Sequence, residues 1–286
     1  MPAFPATGAN SAANFIPEIF SKKLQAKFYA SSVLPQISNT DYEGEITGQG
    51  NKVNIRTVPS VTVSNYTGSV SYADVTTQII ELMIDKAKSY AFKVDDILKV
   101  QADINFQNEA SKDAAEQMRI AVETDVLGNI VTGATTTLDK ASVSASNILD
   151  AILEAGRKLD ELNIPESDRF VVLSPKYIEM LKKSDLRQAY LTGDGTSPLR
   201  NGKVGMVDRF NIFQSNLLAA GAGADAGKTL CLAGHPKATC FASQFVKTET
   251  VRLTDTFGDG VRGLKVYGYK VVVPDALVTL KLKDTA

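Results

Sequence analysis

Between residues 52 and 67 the chain alternates apolar and polar positions twice over. Lys52-Val53-Asn54-Ile55-Arg56-Thr57-Val58 is followed by Pro59-Ser60, then by Val61-Thr62-Val63-Ser64-Asn65-Tyr66-Thr67. Period-2 alternation marks a half-buried strand, so the segment predicts a long β-hairpin, flanked by Gly44, Gly48, Gly50 and Gly68. A two-stranded hairpin alone buries too little apolar surface to offset the ordering of its chain. It needs a second surface, and a neighbouring subunit is the expected supplier. The pattern points to assembly rather than catalysis.

Helical periods surround it. In residues 17–29, Ile19, Phe20, Leu24 and Phe28 recur at helical spacing, and by pattern alone this is the first helix of a core. Residues 77–92 read as one long strand carrying Ile79, Ile80, Leu82, Met83 and Ile84. Val94-Asp95-Asp96 then opens a long helix, its acids at the positive end of the helix dipole. The stripe Ile97, Val100, Ile104, Ala115, Met118, Val122, Val126 and Ile130 carries it to residue 130. Roughly 30 residues at 1.5 Å each reach about 45 Å, a rod suited to the spine of a flat subunit.

Residues 133–146 are small and hydroxyl-rich and read as a link between domains. Ser146 is placed to cap a helix whose face is Ile148, Leu149, Ile152, Leu153, Leu159 and Leu162. A buried strand, Phe170-Val171-Val172-Leu173, leads through Ser174-Pro175 into a helix ending near Leu181. Strands follow at 209–214 and 229–232, with loops at 194–202 and 219–227. Three closing strands are expected at 247–254, 264–273 and 276–282. The succession is α+β.

Composition changes this little. At 286 residues, 44% hydrophobic and 22% charged, the chain is ordinary for a globular protein with a real core. A net charge of −1 predicts no tight sequence-independent grip on DNA. The two cysteines, Cys231 and Cys240, fit a reducing cytoplasm better than a disulfide framework, and their spacing is not that of a zinc site. The start of the chain lacks a secretory pattern, and no apolar run reaches the roughly 20 residues that span a bilayer.

Candidate chemistry is sparse. Ala222-Gly223-Ala224-Asp225-Ala226-Gly227-Lys228-Thr229 is a relaxed match to a phosphate-binding loop, but alanine replaces its first glycine and a strand-like run follows. A surface loop is the better reading. His235, the single histidine, precedes Pro236 and reads as a turn residue; no Gly-x-Ser-x-Gly elbow is present. The pairs Asp95-Asp96 and Asp160-Glu161 are explained by helix ends, and Lys22, Lys23 and Lys27 by a solvated helix face. No enzyme activity, cofactor or metal is expected.

Longer stretches carry a resemblance. Asn14-Phe15-Ile16-Pro17-Glu18-Ile19-Phe20-Ser21-Lys22-Lys23-Leu24, Phe28-Tyr29-Ala30-Ser31-Ser32-Val33-Leu34 and Asn39-Thr40-Asp41-Tyr42-Glu43-Gly44-Glu45-Ile46 precede the hairpin. Ile84-Asp85-Lys86-Ala87-Lys88-Ser89-Tyr90-Ala91-Phe92-Lys93-Val94-Asp95-Asp96 follows it. This order resembles the front half of tailed-bacteriophage major capsid proteins of the Hong Kong 97-type fold. Val266-Tyr267-Gly268-Tyr269-Lys270-Val271-Val272-Val273-Pro274-Asp275-Ala276-Leu277 is similar to that family's closing segment.

The resemblance implies an N-terminal arm (1–40), an extended hairpin loop (41–75) and a peripheral domain with the spine helix (76–143). An axial domain (144–244) and closing strands (245–286), part of which complete the peripheral domain, would follow. It implies hexamers and pentamers of an icosahedral virion head, made in the bacterial host cytoplasm and enclosing double-stranded DNA without sequence-specific binding. It also implies a separate scaffolding protein, a portal protein and decoration proteins as partners, and no membrane. Residues expected to meet neighbours are Phe15, Ile16 and Phe20 of the arm, with Lys52, Val53, Ile55, Arg56, Val61, Val63 and Tyr66 of the hairpin. Some shells of this fold join subunits through a lysine and an asparagine; Lys52 lies on the hairpin, but its partner is unassigned. The alternatives are an encapsulin-like compartment with enzyme cargo and, resting on Lys228 alone, a nucleotide-dependent enzyme.

Overall fold

The computed structural model describes residues 27–43, 52–57, 79–96, 106–184, 205–254 and 256–285, with single positions at 59, 61, 63, 65, 66, 68, 72, 74 and 77. Its helices are α1 (Leu34–Ile37), α2 (Phe106–Ile130), α3 (Ile148–Glu161) and α4 (Pro175–Lys183). Its strands are β1 (Lys52–Arg56), β2 (Ile79–Met83), β3 (Lys86–Asp95), β4 (Thr136–Val143), β5 (Arg169–Leu173), β6 (Met206–Val207), β7 (Phe210–Gln214), β8 (Thr229–Gly234), β9 (Thr239–Arg252), β10 (Gly258–Val271) and β11 (Leu277–Asp284). Among the described residues they form three sheets, ordered β1-β2, β3-β10-β9 and β4-β11-β8-β5-β7-β6.

The six-stranded sheet is buried on both faces, which is why β5 is apolar without alternation. Val171 and Leu173 face a layer made by Ile148, Ile152 and Leu159 of α3 with Tyr177, Ile178 and Leu181 of α4. Phe170 and Val172 face the opposite layer, where Val122, Val126, Leu127 and Ile130 of α2 meet Leu34, Ile37, Phe241 and Tyr267. Two buried bonds tie the layers to β11: Tyr177 OH donates to the Leu282 carbonyl at 2.6 Å. Thr279 Oγ1 donates to the Val131 carbonyl at 2.7 Å.

Several expectations are corrected. Residues 133–146 are not a plain link, because 136–143 form β4, paired in parallel with β11. The expected strand at 77–92 is two strands in two sheets, β2 pairing with β1 and β3 with β10. At the break the chain passes so close over β10 that a Cβ on Gly268 would lie 2.0 Å from the Met83 carbonyl oxygen. Val94 and Asp95 end β3, and Asp96 is the first helical residue. The described helix runs for 25 residues from Phe106, and the stripe residues Ile97, Val100 and Ile104 lie outside the described residues. Ser146 does not cap α3; Asn147 is its N-cap residue, without a side-chain capping bond, and Asn147 Oδ1 accepts the Ser144 amide instead. Leu153 and Leu162 face outward, and Ala155 and Gly156 take the buried positions.

Candidate subunit-contact surface

The hairpin expected between 52–58 and 61–67 is not the observed pairing. β1 lies antiparallel to β2, with Lys52 opposite Met83, Asn54 opposite Glu81 and Arg56 opposite Ile79. Alternation places Val53 and Ile55 on the inner side, where they pack with Leu82, Ile84, Cys240 and Ala242. The strand therefore has a core within its own chain, which overturns the argument that a neighbour must supply one. Outward lie Lys52, in an ion pair with Glu81 at 2.5 Å, and the exposed Arg56.

Beyond β1 the picture differs. Val61, Val63 and Tyr66 are 72%, 93% and 75% exposed, and none belongs to a strand. Tyr72, at 96%, and Ile79, at 58%, are exposed as well. Neither is among the expected contact residues: Tyr72 stands outside the alternating run, and Ile79 falls in the expected strand at 77–92. Phe15, Ile16 and Phe20 lie outside the described residues, as do Lys22 and Lys23.

The segment leaving the arm is fastened along α2. Lys27 Nζ and Tyr29 OH both donate to Asp113 Oδ1, at 2.6 and 2.8 Å. Arg119 Nη2 donates to the Ala30 carbonyl at 3.0 Å. The Val33 amide donates to buried Glu123 at 2.9 Å, and Ser32 Oγ donates to the same carboxylate. The bond from Lys27, then that from Tyr29, holds the Asp113 carboxyl below its usual range. Nearer the sheet, Asp125 of α2 accepts from Lys86 and Tyr267, each at 3.0 Å, and anchors the helix to β3 and β10. Burial alone would raise the Asp125 pKa, but these bonds and the Lys86 charge hold it low.

The other candidate groups are structural. Lys228 is followed directly by strand β8, not by the helix a phosphate loop requires. Its ammonium is tied to Asp139 at 2.5 Å and Asp225 at 3.0 Å, and Lys281 reaches the second oxygen of Asp225 at 2.5 Å. His235 is buried; its Nδ1 accepts the Lys237 amide at 3.1 Å and caps the turn Pro236–Ala238. Cys231 and Cys240 are free, and burial pushes their thiols up to about 12 and about 11. Asp160 is held by Arg169 and Arg209, and Asp96 by Arg252. Among the described residues no cluster of metal-ligating side chains occurs, and no helix is long and apolar enough to cross a membrane. The exposed apolar side chains offer packing surface, and the candidate polar groups are spent on bonds within the chain.

Residues 79–280 match the family described as phage capsid protein. A chain from Mycobacterium phage Che8 superposes with a TM-score of 0.83 at 31% identity, over 94% of this chain and 97% of that one. The capsid of cyanophage P-SCSP1u gives 0.81 at 14% identity, over 97% and 96% of the two chains. The mature capsid of bacteriophage PhiM1 gives 0.77 at 19% identity, over 98% and 96%. No curated protein sequence matches the chain. The expected α+β fold is thus the fold of tailed-phage capsid structures, and the chain belongs to the phage capsid protein family.

Proposed function

We propose that this chain is the major capsid protein of a tailed phage, closing as hexamers and pentamers into an icosahedral head around double-stranded DNA. The observation that carries the reading is the exposed apolar run Val61, Val63, Tyr66 and Tyr72, which its own chain leaves uncovered. Large apolar side chains exposed in number along one segment mark an interaction site. Repeated copies make many weak contacts at once, and simultaneous contacts convert modest affinities into a stable shell. Arm residues Phe15, Ile16 and Phe20, with outward Lys52 and Arg56, extend the contact.

In this reading residues 1–40 are the arm and 41–75 the extended loop. Residues 76–143 form the peripheral domain, 144–244 the axial domain, and 245–286 the closing strands. A scaffolding protein sets shell size, a portal protein occupies one vertex, decoration proteins bind outside, and assembly takes place in the host cytoplasm. An encapsulin-like compartment is not favoured, because the matched structures are phage capsids. Co-expression with the scaffold, followed by sedimentation and electron microscopy, is the test. Closed shells are expected; a persistent monomer would sink the reading, and shells filled with enzyme cargo would favour the compartment.

A further inference from the structure

Lys88 of β3 and Lys265 of β10 are direct partners in the antiparallel register. Like charges placed opposite each other destabilise a sheet. Among the described residues neither lysine forms an ion pair or hydrogen bond, although carboxylates answer the cations around them. Lys86 has Asp125, and Arg119 has Glu116. Lys265 also forms one wall of a cavity of about 320 Å³ between the arm-exit segment, α2 and the sheet. Leu34, Pro35, Val122 and Phe241 make its apolar side. Two carboxylates border it as well, but Glu123 is spent on Ser32 and the Val33 amide, and Glu43 on Ser243. The site thus joins an apolar wall to a cationic pair that lacks a counterion among the described residues.

The complementary chemistry lies on the extended loop. Tyr72 is almost fully exposed, and two residues on Asp74 is exposed without an ion pair or hydrogen bond among the described residues. Tyr72 and Asp74 are separated by a single residue, so one docked segment carries both to the same site. We infer that the Lys88–Lys265 pair and its cavity are the receptor for Tyr72 and Asp74 of a second copy of this chain. The ring takes the apolar wall and the carboxylate neutralises both lysines. This rests on the shell reading above and names the partner residues within it. The lysine pair, unfavourable in the free subunit, becomes favourable on association, which gives the contact a bias toward the assembled state.

Charge exchange tests it in the full chain co-expressed with its scaffold. Lys265→Glu faces Lys88 with an opposite charge, so the free subunit should melt no lower than wild type while shell yield falls about tenfold or more. Asp74→Lys should lose shells to a similar degree. The double variant Lys265→Glu with Asp74→Lys should recover shells to within about threefold of wild type. Wild-type yield from either single variant overturns the inference. So does failure of the double variant when both single variants block assembly, because the lysines then serve an acid from another protein. Absence of wild-type shells would instead remove the parent reading.

Discussion

His235 is the single histidine of the chain, and its Nδ1 is occupied by the Lys237 amide proton. Burial first, and then the positive charge of Lys237, set its pKa below the ordinary imidazole value of 6.5. The charged residues nearest it besides Lys237 are Asp168, which pulls the other way, and Arg169. A folded pKa below the unfolded one means the neutral ring favours folding. That contribution is complete above about pH 6.5 and is lost as the pH falls below it. The lone imidazole resonance should therefore titrate with a midpoint under 6.5. A midpoint at or above that value would show the ring to be solvated. This residue's turn role was readable from His235-Pro236, since proline sets the local turn. Its capping bond was not, because no sequence pattern specifies which ring nitrogen meets an amide.

At the scale of elements, Gly268 sets how two sheets cross. A methyl group there would meet the Met83 carbonyl oxygen and carbon and the Ile84 Cα, all backbone atoms with no flexible end to move aside. Gly268→Ala is expected to cost about 1–3 kcal/mol, the usual range for overpacking. Chemical denaturation would measure it, and a cost under about 0.5 kcal/mol would mean the crossing is looser than it stands. Elements with strong local periods were legible: β5, α4 and β11 fall where their patterns place them, whereas β9 and β10 begin well before the expected 247 and 264, at Thr239 and Gly258. Those set by distant partners were not. β4 reads as a hydroxyl-rich link because its parallel partner lies about half the chain away. β6 and β7 are joined by Asp208-Arg209, both with positive φ, a turn in which glycine or asparagine is the usual signal. The pairing of β1 was misassigned because 61–67 alternates cleanly, whereas the true partner, Ile79-Ile80-Glu81-Leu82-Met83, does not. Local pattern favours the nearer alternating run and cannot report which strand the register finally selects.

In the whole molecule, surfaces for folding and surfaces for assembly separate along one short stretch. Ile55→Ala should lower the stability of the free subunit by about 2–4 kcal/mol, because it empties part of a packed cluster. Val61→Ser with Val63→Ser should leave the melting temperature of the subunit unchanged and abolish shells, since both side chains are exposed. Hydrogen exchange separates the two sides again: β1 amides should be slow in the free subunit, and amides near Val63 slow only in the particle. Strong protection near Val63 in the free subunit would mean the loop folds onto its own chain. The placement of β11 between β4 and β8 carries a different consequence. Until that strand is made, two strands present open edges and both core layers lack a shared wall, so an interrupted chain cannot complete its tile. Translation itself should thereby inspect each subunit: a ribosome that stops before residue 277 is expected to yield a protease substrate rather than a defective brick. Pulse-labelled chains ending at residue 276 should be degraded rapidly and be missing from particles, whereas their survival in shells would show that the inspection is not made.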